Sequence, residues 1–305
     1  MSESLTLVLF NLFVVMMLAL DLGVFQRRAH FPSMKEALIW SGVWILLAML
    51  FCLYIGLTSG GGKALQFLTG YVVEEALSVD NVFVFIVILA YFAVPREVHH
   101  TVLFWGVLSA IILRALFIVV GSALVARFQW LLYLMGAFLI FTSVKLAVQE
   151  EAQVEPERNP LIRLARRFMP VTQQYEGRKF FVRVNGKRFM TPLLLVLMMI
   201  ETSDIVFATD SIPAIFAITR DSFIIYTSNI FAVLGLRSLY FVVAGFMKQF
   251  RFLNYGLSVV LAFIGTKMLL EWWLEIPILL SLIVIFVVIL AAILASVLLP
   301  EENST

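Results

Sequence analysis

Apolar residues along this chain fall into long unbroken blocks, with neither the alternation of a half-buried strand nor the narrow stripe of a surface helix. Nine blocks are long enough to cross a bilayer, at roughly 5–25, 38–58, 67–94, 101–121, 128–148, 191–218, 223–246, 252–271 and 277–299. A hydrocarbon layer about 30 Å thick takes about 20 helical residues to cross. In lipid a lone segment satisfies its backbone only by coiling, so blocks of this kind must be helical. The pattern therefore predicts an all-α polytopic membrane protein of about nine transmembrane helices, in a single transmembrane domain over residues 1–305.

Between the fifth and sixth blocks, residues 149–190 form a polar connector. Its first part, Glu150 to Pro160, is charged and irregular, and Leu161 to Met169 reads as a basic amphipathic helix lying on anionic membrane lipid. The run FFVRV-NG-KRFMT then sets Asn185-Gly186 between two strand-like stretches, which predicts a short hairpin. No catalytic role is expected of this segment.

The polar exceptions inside the blocks carry the functional signal. Glu201, Asp204 and Asp210 interrupt the sixth span, and Glu74, Glu75, Asp80 and Asn81 interrupt the third. Asp21 lies near the end of the first, where capping or a pair with Arg27 or Arg28 accounts for it. A carboxylate at membrane depth costs several kcal/mol unless it faces an interior, a wet cavity or a cation.

These exceptions recur. Glu74-x5-Asp80-Asn81 in span three matches Asp204-x5-Asp210-Ser211 in span six. Arg114 in GVLSAIILRALFIVVG answers Arg237 in SNIFAVLGLRSLYFVVAG, and Lys145 answers Lys267 one span later. Acid, arginine and lysine thus repeat in order over two three-helix units. Three is odd, so the second unit threads the membrane in the opposite sense. An inverted pair of three-helix repeats is a transporter arrangement, with the site at the midplane between them.

Composition sharpens this. The chain is 62% hydrophobic and 14% charged, with a mean hydropathy of +1.01, against about 25% charged in soluble domains. A net charge of +2 and the lack of a basic reading module give no reason to expect nucleic acid as a partner. Cys52 is the one cysteine, and His30, His99 and His100 all fall between the predicted spans. No cofactor is expected, neither haem nor flavin. One set of alternate loops holds fifteen Lys and Arg, nine of them in the connector, against Lys63, Arg127 and Arg220 in the other. The positive-inside bias puts the N-terminus outside and the C-terminus in the cytoplasm. The first span is too long, and too weakly marked for cleavage, to read as a removed signal peptide.

A pocket of carboxylates with Asn81, Ser211 and Asn229 would be rich in hard oxygen, suiting Mg, Ca or Mn rather than Zn or Cu. The candidate metal ligands are Glu74, Asp80, Asn81, Glu201, Asp204, Asp210 and Ser211. Residues six apart point about 120° apart on a straight helix, so Glu74/Asp80 and Asp204/Asp210 need a distortion to converge. Pro213 clashes with the carbonyl of Thr209 and is expected to kink or unwind span six beside Asp210. The repeat favours Glu74 for the site over its neighbour Glu75, which then serves as a structural partner. Met198 and Met199 add thioethers that would tilt the choice toward manganese, although filling a helix core is the simpler account of either. Ion pairs with bases of neighbouring spans are the plain alternative for each acid. Arg114 and Arg237 are expected to hold the carboxylate network in place, while Lys145 and Lys267 snorkel toward the span ends.

EEALSVDNVFVF, ETSDIVFATDSIPAIFAIT and SNIFAVLGLRSLYF resemble the hallmark segments of the TerC/Alx family of bacterial integral membrane proteins, and DLGVF…AH…KEA…W and FFVRVNG…TP are similar to its Alx-type members. The resemblance covers nearly the whole chain. It implies a nine-span protein of the bacterial inner membrane, related to LysE-type exporters, linked to manganese export and by an older label to tellurium-ion resistance. It places the metal pathway on Asp80, Glu201, Asp204 and Asp210, with Glu74 and Asn81 beside them. The leading expectation is a secondary transporter that exports Mn2+, its carboxylates binding the ion alternately with protons, and not an enzyme. The alternative is a membrane scaffold or redox-stress regulator without transport of its own.

Overall fold

A computed structural model describes residues 3–25, 33–148, 159–184, 186–246, 252–271, 273–274 and 276–298. Arg27, Arg28, His30, most of the stretch from Glu150 to Pro160, Asn185 and the side chain of Asp21 lie outside what is described. The described chain folds as α1 (Glu3–Phe25), α2 (Met34–Ser59), α3 (Gly61–Tyr91), α4 (Arg96–Arg127), α5 (Leu131–Val148), α6 (Pro160–Phe168), β1 (Phe181–Val184), β2 (Lys187–Met190), α7 (Pro192–Phe216), α8 (Ser222–Phe246), α9 (Leu253–Leu270) and α10 (Ile278–Leu298). It is an all-α polytopic membrane protein.

Among the described residues, α2, α4, α5, α7, α8, α9 and α10 are long and apolar enough to cross a membrane. The expectation was nine. In α1 the apolar stretch, Leu5–Leu20, is shorter, and in α3 Glu74, Glu75 and Asp80 break the run. Yet α3 lies inside the bundle, packed on α2, α7, α8 and α10.

The helices begin and end where local chemistry allows. Ser33 caps α2 in a capping box, its backbone N–H donating to Glu36 Oε2 at 2.8 Å while its hydroxyl accepts from the Glu36 N–H. Asp221 Oδ1 caps α8 by accepting from the N–H groups of Phe223 and Ile224. Helix α4 starts at Arg96, which puts His99 and His100 in its first turns rather than in a loop. That corrects the expected placement. His100 is buried against Phe241.

Two kinds of packing hold the helices together. Phe10, Phe51, Phe67 and Phe231 join α1, α2, α3 and α8 with ring centroids 5.1–5.9 Å apart. Helices α5 and α9 instead approach through small residues. A Cβ on Gly265 would stand 2.7 Å from the carbonyl oxygen of Gly136, and one on Gly136 would stand 3.1 Å from that of Gly265. Further along, the Ser258 hydroxyl donates to the Ser143 carbonyl at 2.7 Å. In lipid such close backbone approach replaces the hydrophobic drive that packs soluble helices. Outer faces stay apolar: α10 buries Ser281, Ile285, Ala292 and Ser296 and exposes leucine and valine elsewhere.

Polar and aromatic contacts fix the two ends of the bundle. At one, the Tyr175 hydroxyl donates to Phe92 O at 2.7 Å, Phe180 packs on Trp105, and Tyr240 hydrogen-bonds His99. At the other, Lys63 pairs with Asp221 at 2.7 Å, and Arg220 with Glu271 at 2.9 Å. In the connector, Asn159 caps α6 and donates to Met199 Sδ of α7, and Ile162 is fully buried. The strands pair antiparallel with Val184 opposite Lys187, which leaves two residues for the turn, and Gly186 takes φ +79° there.

Candidate cation site

Helix α7 passes through Pro213 without a break, and its last turn closes with the Ala217 N–H donating to Pro213 O at 3.2 Å. The expected unwinding beside Asp210 is therefore not observed. Pro213 stands only three residues from the helix end, so little helix remains beyond it to be displaced. Because α3 and α7 both stay regular, the six-residue spacing keeps its turn of about 120°. The acids separate into two groups that face different surroundings.

The first group is a buried ion cluster. Arg114 of α4 has a side chain with no exposed surface. Its guanidinium pairs with Glu74 of α3, and through Nη2 with Asp204 Oδ1 of α7 at 3.4 Å. Nη1 also donates to Asn229 Oδ1 of α8 at 3.1 Å, and Asn229 in turn donates to Ile225 O. Four helices thus supply one residue each, and the charges offset one another where neither sign could stand alone. Glu75 points elsewhere, toward Gly235 of α8. Among the described residues, Glu74 and not Glu75 is the member of the pair tied to a base.

The second group faces an open pocket of about 340 Å³ between α3, α5, α7 and α9. Asp80 and Asn81 reach it from α3, Thr142 and Lys145 from α5, Thr209 and Asp210 from α7, and Asn254 from α9. The Thr142 hydroxyl donates to Leu139 O of its own helix at 3.0 Å, and Asp210 Oδ1 is buried without a hydrogen bond. Asn81 is only 2% exposed. Every polar group that lines this space, Lys145 apart, offers oxygen.

Glu201 belongs to neither group. Its Oε1 accepts from the Ser109 hydroxyl of α4, one turn before Asp204. Several oxygens of α7 are buried without a hydrogen bond: Glu201 Oε2, Asp204 Oδ2, Asp210 Oδ1 and Ser211 Oγ. Buried oxygens in this condition are costly, and a cation or water would satisfy them. Of the seven residues expected to bind metal, the fold gathers Asp80, Asn81 and Asp210 around one cavity. It draws Glu74 and Asp204 onto Arg114 instead. Among the described residues, no three His, Cys, Asp or Glu side chains converge. Sequence reasoning did not single out Thr142, Asn254 or Ser109 and placed Lys145 at the lipid edge; Thr142 and Lys145, three apart on one face of α5, were the available signal.

A bundle of lipid-length helices around a buried ion cluster on Arg114, beside a largely apolar pocket that carries two carboxylates, is a polytopic membrane protein with buried ionisable groups. The chain belongs to the integral membrane protein TerC family, matched over residues 59–304. A membrane protein of Myxococcus xanthus is 52% identical over 276 residues, covering 90% of this chain and 86% of that one. An Escherichia coli (strain K12) protein, provisionally named membrane-bound redox modulator Alx, is 48% identical over 286 residues, covering 91% and 89%. A Rickettsia bellii membrane protein is 39% identical over 277 residues, covering 91% and 92%. No solved structure matches.

Proposed function

We propose that this protein is a secondary transporter that exports a hard divalent cation, Mn2+ foremost, across the bacterial inner membrane. The observation that carries the reading is the cavity between α3, α5, α7 and α9, where Asp80 and Asp210 meet Asn81 among oxygen donors. Two carboxylates and neutral oxygens, with room for retained water, suit a hard divalent ion. Manganese and the outward direction come from the family resemblance. Protons are the natural counter-species, since the same carboxylates can take up either.

The packing supports an inverted pair of repeats, α3–α5 and α7–α9. Aligning Lys145 with Lys267 also aligns Gly136 with Ser258 and Ser143 with Gly265. The Gly136–Gly265 and Ser143–Ser258 contacts are then one contact seen from either half. Both acid groups likewise take one member from α3 and its counterpart from α7. On this reading α1 and α3 also cross, giving nine spans, with the hairpin end of the bundle cytoplasmic and the N-terminus outside. The ion moves without covalent chemistry. A redox role, which the Escherichia coli relative's name suggests, finds one cysteine here, and Cys52 Sγ donates to Ala64 O at 3.4 Å.

Manganese accumulation in cells expressing Asp210→Asn tests the proposal. The variant should retain Mn2+ that cells with the wild-type protein expel. Export at the wild-type rate would defeat the reading, and competition by Mg2+ and Ca2+ at fixed Mn2+ would rank the cations.

A further inference from the structure

Two lysines hold equivalent places in the two halves, and the fold treats them differently. Lys267 of α9 donates to Ser281 Oγ of α10 at 3.0 Å, away from the cavity. Lys145 of α5 lines the cavity, one turn beyond Thr142, together with Asp80 of α3 and Asp210 of α7. Its side chain is flexible and starts three residues before the end of α5 at Val148. It can therefore reach either the carboxylates or the aqueous end of its own helix.

We propose that the Lys145 ammonium is a tethered counter-ion of the Asp80/Asp210 cavity. It fills the charge gap when the cavity is empty and withdraws when a divalent cation enters. This rests on the transport reading above and adds a residue that governs release and the return of the empty protein. Two carboxylates alone in a low-dielectric space repel each other and lack solvation, so an empty cavity would resist being carried across the membrane. An ammonium on a built-in arm offsets that charge. A divalent ion brings a full neutralising charge, after which the lysine becomes surplus and is repelled. Lys145 thus competes with the cargo, keeping affinity low enough for release, as conduction through any binding site requires.

The test uses purified full-length protein, with Mn2+ binding read by equilibrium dialysis and flux read in proteoliposomes. Lys145→Gln should bind Mn2+ about tenfold tighter, the effect of removing one nearby positive charge. It should lose net Mn2+ efflux while keeping exchange of labelled for unlabelled Mn2+, because exchange never requires the empty protein to reorient. Lys145→Arg should restore net efflux, and Lys267→Gln should leave the Mn2+ affinity unchanged. If Lys145→Gln and Lys145→Met both bind Mn2+ with wild-type or weaker affinity, or if net efflux and exchange fall together, the tethered counter-ion is overturned while transport stands. If the wild-type protein binds no Mn2+, the transport reading fails and this inference falls with it.

Discussion

Neutralising Glu74 and Asp210 one at a time should affect two different properties. Glu74 and Arg114 are fully buried, so Glu74→Gln strips a guanidinium of its nearest counter-charge. Breaking a buried ion pair from one side costs about 3–5 kcal/mol. Asp204 at 3.4 Å and Asn229 at 3.1 Å remain as partners, which argues for the lower end of that range. At about 2 °C per kcal/mol for a chain of this size, the thermal midpoint should drop by about 6 °C. Asp210 faces the cavity, and one of its oxygens already lacks a partner. Asp210→Asn should therefore move the midpoint by no more than about 1 °C, a change of about 0.5 kcal/mol. Added Mn2+ separates the variants again. At a hundred times its Kd, a ligand stabilises by about 2.7 kcal/mol, or about 5 °C. Wild type and Glu74→Gln should show this upward shift, and Asp210→Asn should not. The assay is thermal unfolding of detergent-purified protein followed by intrinsic fluorescence, with and without Mn2+. A Glu74→Gln protein that melts like wild type, or an Asp210→Asn protein that keeps the Mn2+ shift, would refute the division of the acids.

Replacing the cluster as a whole should be less harmful than replacing one member: Glu74→Gln, Arg114→Met and Asp204→Asn combined should melt within about 2 °C of wild type, because an exchanged buried triad leaves no stranded charge. A combined variant less stable than Glu74→Gln alone would contradict that. Gly265→Ala should lower the midpoint by about 2–6 °C, since its new Cβ would meet a backbone oxygen at 2.7 Å and overpacking costs about 1–3 kcal/mol. Gly62→Ala, with nothing within 4 Å, is the matched control and should show no loss.

The hydropathy blocks coincide with helices because lipid leaves an apolar segment of that length one conformation. Their ends were harder to read. Helix α4 runs from Arg96 to Arg127, well past the apolar block at 101–121, because backbone hydrogen bonds continue through polar turns that hydropathy does not mark. The acids were visible as exceptions, but their grouping was not. Sequence shows that Asp80 and Asp210 recur at equal spacing from Glu74 and Asp204, and says nothing about which pair an arginine from another helix will claim. That depends on how α4 meets α3 and α7 in space. Pro213 misled for a related reason. Its clash is real, yet its effect depends on how much helix follows it, and α7 ends at Phe216. Lys145 read as a snorkelling end-residue because its spacing from Thr142 shows a shared face of α5 but not that this face meets a cavity shared with α3, α7 and α9.

The two acid groups depend on each other. A regular helix turns about 100° per residue, so fixing the direction of one side chain fixes that of all the others. Arg114 draws Glu74 and Asp204 toward α4, and in doing so sets the rotation of α3 and α7 together. Asp80 and Asp210, six residues on, must then both turn away from the arginine, and the fold gives them the same space to face. On the proposed reading, the cluster thus aims the pair offered to the cation. Its ion pairs suit that fixed role, whereas a cavity that loads and releases an ion, as proposed, needs carboxylates with no permanent partner. A flexible ammonium meets that need better than a buried guanidinium does, and α5 supplies one at the cavity's edge.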